Sequence, residues 1–160
     1  MNLYHVTNSS YASDIKSEGF QSRGIPDYYS PRYEFEVAVD TIGRGEYTSW
    51  SSRVHGVFFW ESIEQARNNT QERAPYDMIL ECDKNKLPSP QWCIESEVLE
   101  STYRSLDRPS NVQPGDSAWK KARDIVEASR HYDGTQQRVE VWCSGPVSPD
   151  AIDGERPLSR

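Results

Sequence analysis

The chain has 160 residues, 25 of them acidic and 18 basic, a formal net charge of −7, and hydrophobic residues at 35%. That length fits one domain with a core of its own, and 5 Trp, 9 Tyr and 4 Phe supply enough large apolar side chains to argue for a folded domain over disorder. The acidic balance argues against non-specific attraction to nucleic acid or to an anionic membrane surface.

Residues 3–7, LYHVT, read as a short strand in which Leu3, His5 and Thr7 share one side. An imidazole beside a leucine is either a satisfied core group or part of a site. A helix follows, capped by Ser9 or Ser10, with Tyr11, Ala12 and Ile15 on one face and Gly19 as its stop. Residues 21–55 are rich in Gly, Pro, Tyr and charge; they read as a long, weakly structured stretch in which only EFEVAV looks partly regular. HGVFFW, 55–60, is a dense strand signal, and the helix after it opens on a capping box of Ser62 and Gln65. Residues 76–83 predict another strand. Residues 87–93, with Pro88 and Pro90, predict a connection, and IESEVLESTYRSL from Ile94 predicts a helix. Asp116 caps a better helix to about Arg130, carrying Ala118, Ala122 and Ile125 at helical spacing. HYDGTQQ reads as a turn and RVEVWCS as a strand, closing one domain over 1–152 before a polar tail at 153–160. The order is α+β, without the glycine fingerprint of a Rossmann or P-loop unit.

Cys82, Cys93 and Cys143 are odd in number and lack C-x-x-C spacing, so reduced thiols are expected in place of disulfides or zinc. His5, His55 and His131 are too few and too scattered for a histidine-rich metal site. No apolar run reaches spanning length and the first residues read as a strand, so a cytoplasmic protein with no membrane or metal partner is expected.

In RVEVW, Val139 and Val141 share one face while Arg138, Glu140 and Trp142 share the other. Glu140 either points to solvent or, if both faces are covered, is a semi-buried carboxylate that must be paired or used. Three ordered segments then carry a resemblance: LYHVT with its helix ending SEGF, HGVFFWESIEQA, and VEVW with the proline-containing strand end after it. Together they resemble the ADP-ribosyltransferase family, in the branch whose signature is His, Tyr, Glu. The matching positions are His5, Phe58 and Glu140. Two positions depart from the pattern: Val6 stands where the family has Gly, and Phe58 replaces Tyr. Arg138, two before Glu140, is not the Gln or Glu of the arginine-modifying relatives, so protein-arginine modification is not supported.

The resemblance implies a fold of two packed, mainly antiparallel sheets forming an NAD cleft with short flanking helices. It also implies transfer of ADP-ribose from NAD, with release of nicotinamide, to an unidentified acceptor: protein, nucleic acid, small molecule or water. Glu140 would bind a ribose hydroxyl and stabilise the oxocarbenium-like transition state. His5 would donate to the adenosine-side ribose, and Phe58 would stack on nicotinamide. Val6, Thr7, Tyr11 and Phe59 would complete the NAD contacts, with the aromatic loop around Tyr28, Tyr29 and Tyr33 as a possible second wall. Gln136, Gln137 and Arg138, just before Glu140, would meet the acceptor. Two alternatives stand beside this: an NAD-dependent RNA 2′-phosphotransferase using Arg53 and His55, and an inactive module that binds NAD or ADP-ribose.

Overall fold

The computed structural model describes residues 1–21, 31–70, 76–106 and 112–159. In chain order the strands and helices are β1 (Asn2–Thr7), α1 (Ser9–Glu18), α2 (Pro31–Glu46), β2 (Gly56–Trp60), α3 (Ile63–Thr70), β3 (Met78–Asp83), β4 (Trp92–Glu95), α4 (Ser96–Ser105), α5 (Ser117–Ala128), β5 (Arg130–His131), β6 (Val139–Ser144) and β7 (Ile152–Pro157). The strands form a single antiparallel sheet in the order β5-β4-β6-β2-β1-β3-β7, where two packed sheets were expected.

Period-two alternation decides what each side of this sheet buries. Leu3, Phe59, Leu80, Val141 and Cys143 face one way and meet Ala12 and Ile15 of α1 together with Phe20 and Val147. On the other side Phe58, Trp92, Ile94 and Trp142 meet Phe35 and Val39 of α2, Leu99 of α4 and Ile125 of α5. Farther along that side Tyr4, Val6, Trp60 and Ile79 meet Ile63 and Ala66 of α3. Glu140 pairs with Trp60 across β6 and β2, so it emerges between the α2–α4–α5 cluster and the α3 cluster.

The sheet parts between β1 and β2. Tyr4 opposite Trp60 is the one paired position joining these strands, whereas β1 pairs along its whole length with β3. Beyond that point the His5 imidazole reaches the Phe58 carbonyl, Nδ1 to O 2.8 Å, where a backbone ladder would otherwise run.

Several sequence expectations change. Much of the stretch expected to be weakly structured is α2, its apolar stripe carried by Phe35, Ala38, Val39 and Ile42. Tyr28 and Tyr29 lie outside the described residues, and Tyr33 belongs to α2. Ile94, expected to open a helix, sits in β4, and the helix starts at Ser96. The expected tail is β7, an edge strand held to β3 by its backbone. Asn8 caps α1 in place of Ser9 or Ser10, taking the Ser10 N–H at 2.8 Å. Half of the capping box forms, Ser62 Oγ accepting from the Gln65 N–H at 3.1 Å, while Gln65 Oε1 accepts from Asn69 and Ser96 instead. All three cysteines are free and buried, and burial pushes their thiols up to about 11 or 12.

Candidate functional site

The site on the α2 side is built from a pedestal upward. Helical spacing puts Glu36 and Asp40 of α2 one turn apart on its buried side. Asp40 fixes the turn that precedes β2. Its Oδ1 accepts from Trp50 Nε1 at 3.1 Å and the Arg53 N–H at 2.7 Å; its Oδ2 accepts from Ser52 Oγ at 2.6 Å and the Val54 N–H at 3.1 Å. That turn delivers Arg53, 2% exposed, under the sheet. Arg53 Nε donates to Glu36 Oε2 at 2.7 Å, while Nη2 donates to Glu140 Oε1 at 2.9 Å and also lies within reach of Tyr103 Oη and Glu36 Oε1. The Tyr103 hydroxyl donates to Glu36, and the guanidinium lies 5.0 Å from the Phe58 ring centre and 4.5 Å from that of Trp142.

Glu140 therefore follows the second of its two sequence alternatives: both faces of β6 are covered, and the carboxylate is paired. Its side chain is 15% exposed. Oε1 is held by Arg53, and Oε2 has no hydrogen-bond partner among the described residues. Burial pushes the carboxyl up from its usual range, with the Arg53 charge pulling it back down. Val6 and Phe58, both half-buried, stand on the same side of the sheet as Glu140. Two carboxylates against one guanidinium leave this cluster one formal negative charge.

His5 occupies the opposite side. It lines a cavity of about 420 Å³ between β1 and α1, with Thr7, Tyr11, Phe20 and Tyr76 among the walls and Asp14 and Glu18 at the rim. Phe20 and Phe59 meet the imidazole edge-on, with centroids at 4.6 and 5.8 Å. Burial lowers the ring's pKa to about 4, so it is neutral at pH 7. Because the Phe58 carbonyl only accepts, Nδ1 carries the proton, and Nε2 is left as an acceptor. With Nδ1 spent on the Phe58 carbonyl, the neutral ring offers an acceptor and not the donor expected toward a ribose. Phe59, expected to touch NAD, is 1% exposed and serves as core behind the imidazole.

No family model, curated protein or solved structure matches the chain. The site is therefore read from its own geometry. His5, Val6, Thr7 and Tyr11 line one cavity, while the side chains of Phe58 and Glu140 lie on the other side of the sheet, so the predicted NAD residues are divided between its two sides. Gln137 and Arg138 line a separate, polar pocket of about 520 Å³ with Gln65, Asn69 and Ser96. Gln136 is spent within its own loop, accepting from the Asp133 N–H and donating to the His131 carbonyl. Arg53 and His55 do not form a phosphate site: Arg53 is enclosed, while His55 is exposed on the turn, its N–H donated to Ser52. Among the described residues no group of three or more His, Cys, Asp or Glu could hold a metal, and no helix is long and apolar enough to cross a membrane.

Sequence reasoning passed over Glu36, Asp40 and Tyr103. The available signal was the i, i+4 spacing of two acids among Phe35, Ala38, Val39 and Ile42, which is a helical face with charges on its buried side.

Proposed function

We propose that the chain binds NAD across the parting between β1 and β2 and transfers its ADP-ribose to an acceptor, Glu140 serving the reacting ribose. The observation that carries this reading is the state of Glu140: one carboxylate oxygen is anchored by a buried arginine, and the other has no hydrogen-bond partner among the described residues, with Phe58 and Val6 on the same side of the sheet. Anchored through one oxygen and unpaired at the other, a carboxylate is pre-organised for a developing positive charge. The nicotinamide ring of NAD is itself cationic and the transition state has oxocarbenium character, so the cluster's net negative charge favours both.

In this reaction the bond between C1′ of the ribose and the nicotinamide nitrogen breaks, its electron pair leaving with neutral nicotinamide. C1′ then bonds to an oxygen or nitrogen of the acceptor, whose proton passes to Glu140 or to solvent. Phe58 offers a ring for nicotinamide to stack on. On the other side of the parting His5 Nε2 accepts from a hydroxyl of the adenosine ribose. The Gln137 and Arg138 pocket lies beside the start of β6, within the acceptor's approach.

A second reading has one observation in its favour. Arg53 already neutralises Glu140, which suits a module that holds NAD or ADP-ribose without cleaving it. Nicotinamide release and NAD affinity, measured together for wild type, E140Q and H5A, separate the two. The transferase reading expects release by wild type, its loss in E140Q with binding kept, and weaker binding in H5A. Binding without release selects the module. Neither binding nor release rejects both.

A further inference from the structure

We infer that Arg53 is the positioning residue of Glu140, a buried guanidinium that sets where the carboxylate points and keeps it charged. This deepens the reading above and rests on it for its catalytic consequence. Arg53 differs from an ordinary structural cation in how its donors are spent. Nε is committed to Glu36, while Nη2 is divided among Glu36, Tyr103 and Glu140. Nη1 is buried with no partner among the described residues. A guanidinium retained only for stability would satisfy its donors, and an apolar side chain of similar volume commonly does as well in such a place. The rings of Phe58 and Trp142 hold the guanidinium plane, and Asp40 holds the backbone that carries it, so Nη2 has a fixed location from which to hold Oε1. With Oε1 fixed, the direction of Oε2 is fixed as well.

The charged or titratable groups facing Glu140 are Arg53, Glu36 of α2, and Glu100 and the Tyr103 hydroxyl of α4. Among these Arg53 is the cation, and the others oppose ionisation of Glu140 or leave it unaided. Removing Arg53 alone strands Glu36 in the interior, so the variant of choice is E36Q/R53M, which neutralises both members and leaves Tyr103 an acceptor. R53K keeps a point charge but not the planar fork.

The test is a pair of measurements on the full chain: the Glu140 carboxyl titration followed by carbon NMR, assigned by its loss in E140Q, and the pH profile of nicotinamide release. In E36Q/R53M the Glu140 titration and the acidic limb of the profile are both expected to move up by about 1–3 pH units, with R53K between that variant and wild type. Release at neutral pH falls accordingly, while NAD affinity stays near that of wild type. A folded E36Q/R53M whose Glu140 titration stays where the wild type's is overturns the inference, whatever its activity. If wild type releases no nicotinamide, the transferase reading fails, and the NMR titration still decides whether Arg53 governs Glu140.

Discussion

On the α1 side of the sheet the polar group at the centre, His5, is kept uncharged, with one hydrogen bond to a backbone carbonyl and aromatic edges around it. On the α2 side Glu36, Arg53 and Glu140 form a charged network that needs a third carboxylate, Asp40, to hold its backbone. A histidine can shed its charge when water is removed, so its pocket needs little support. A carboxylate meant to work as an anion cannot, so its surroundings must supply a cation, and that cation must itself be anchored. Under the proposed function, binding would fall to the first region and bond cleavage to the second.

The sharpest way to break it is E140Q. If the charged region does the chemistry, nicotinamide release falls by about 10³-fold or more while NAD binding is kept. An equal loss of binding and release would place Glu140 in ground-state recognition and erase the division of labour.

Next in size is the pedestal. D40A strips acceptors from the Trp50 indole, the Arg53 and Val54 N–H groups and the Ser52 hydroxyl. Leaving those donors unmet, two of them buried and two part-buried, is expected to cost about 3–5 kcal/mol in a denaturant melt. A loss under about 1 kcal/mol, of the size seen for a single ordinary hydrogen bond, would mean the turn holds Arg53 without Asp40.

The two regions also predict opposite pH slopes. His5 has a pKa lowered to about 4 from 6.5, so between those values the unfolded chain binds the proton that the folded chain refuses. Its contribution to stability is fully present above pH 6.5 and is lost as pH falls towards 4, about 3 kcal/mol in all. Glu140, with its pKa raised, works the other way: the folded chain keeps a proton the unfolded chain releases, so stability falls as pH rises from the ordinary carboxylate range through the folded value. Melting temperatures from pH 4 to 7 are therefore expected to rise less steeply in H5Q than in wild type, and more steeply in E140Q. Parallel curves for all three would show that neither group is linked to folding.

Parts of this were legible in the sequence because their signals are local. LYHVT, GVFFW and VEVW declare strands by β-branched and aromatic content, and Gly19, at φ 79°, declares the end of α1. The α2 helix was hidden because Glu36 and Asp40 interrupt its apolar stripe on the very side that is buried, so the amphipathic pattern fails there. β7, IDGERP, has almost no apolar alternation, since its pairing with β3 is made by backbone at an edge. Glu140 stood out as a charge between valines. Arg53 was singled out only beside His55, and its pairing with Glu140 was not legible, because the two lie 87 residues apart and no local rule links them.

The smallest predicted effect concerns the residue two before Glu140. Arg138 has φ 55°, a left-handed conformation unfavourable for a side chain with a Cβ. Its backbone is held there from both sides, its N–H donating to Glu61 Oε1 at 2.8 Å and its carbonyl accepting from the Ser96 N–H at 2.9 Å. Glycine meets the same conformation without strain, so R138G is expected to raise stability by about 0.5–1 kcal/mol, a few degrees at most in melting temperature. If the Arg138 side chain also meets the acceptor from its polar pocket, R138G will lower the stimulation of nicotinamide release by added acceptor while leaving slow hydrolysis by water intact. A variant more stable than wild type and unchanged in both rates would assign Arg138 to the turn alone, and the recognition surface would then have to be sought along α3, where Gln65 and Asn69 line the same pocket.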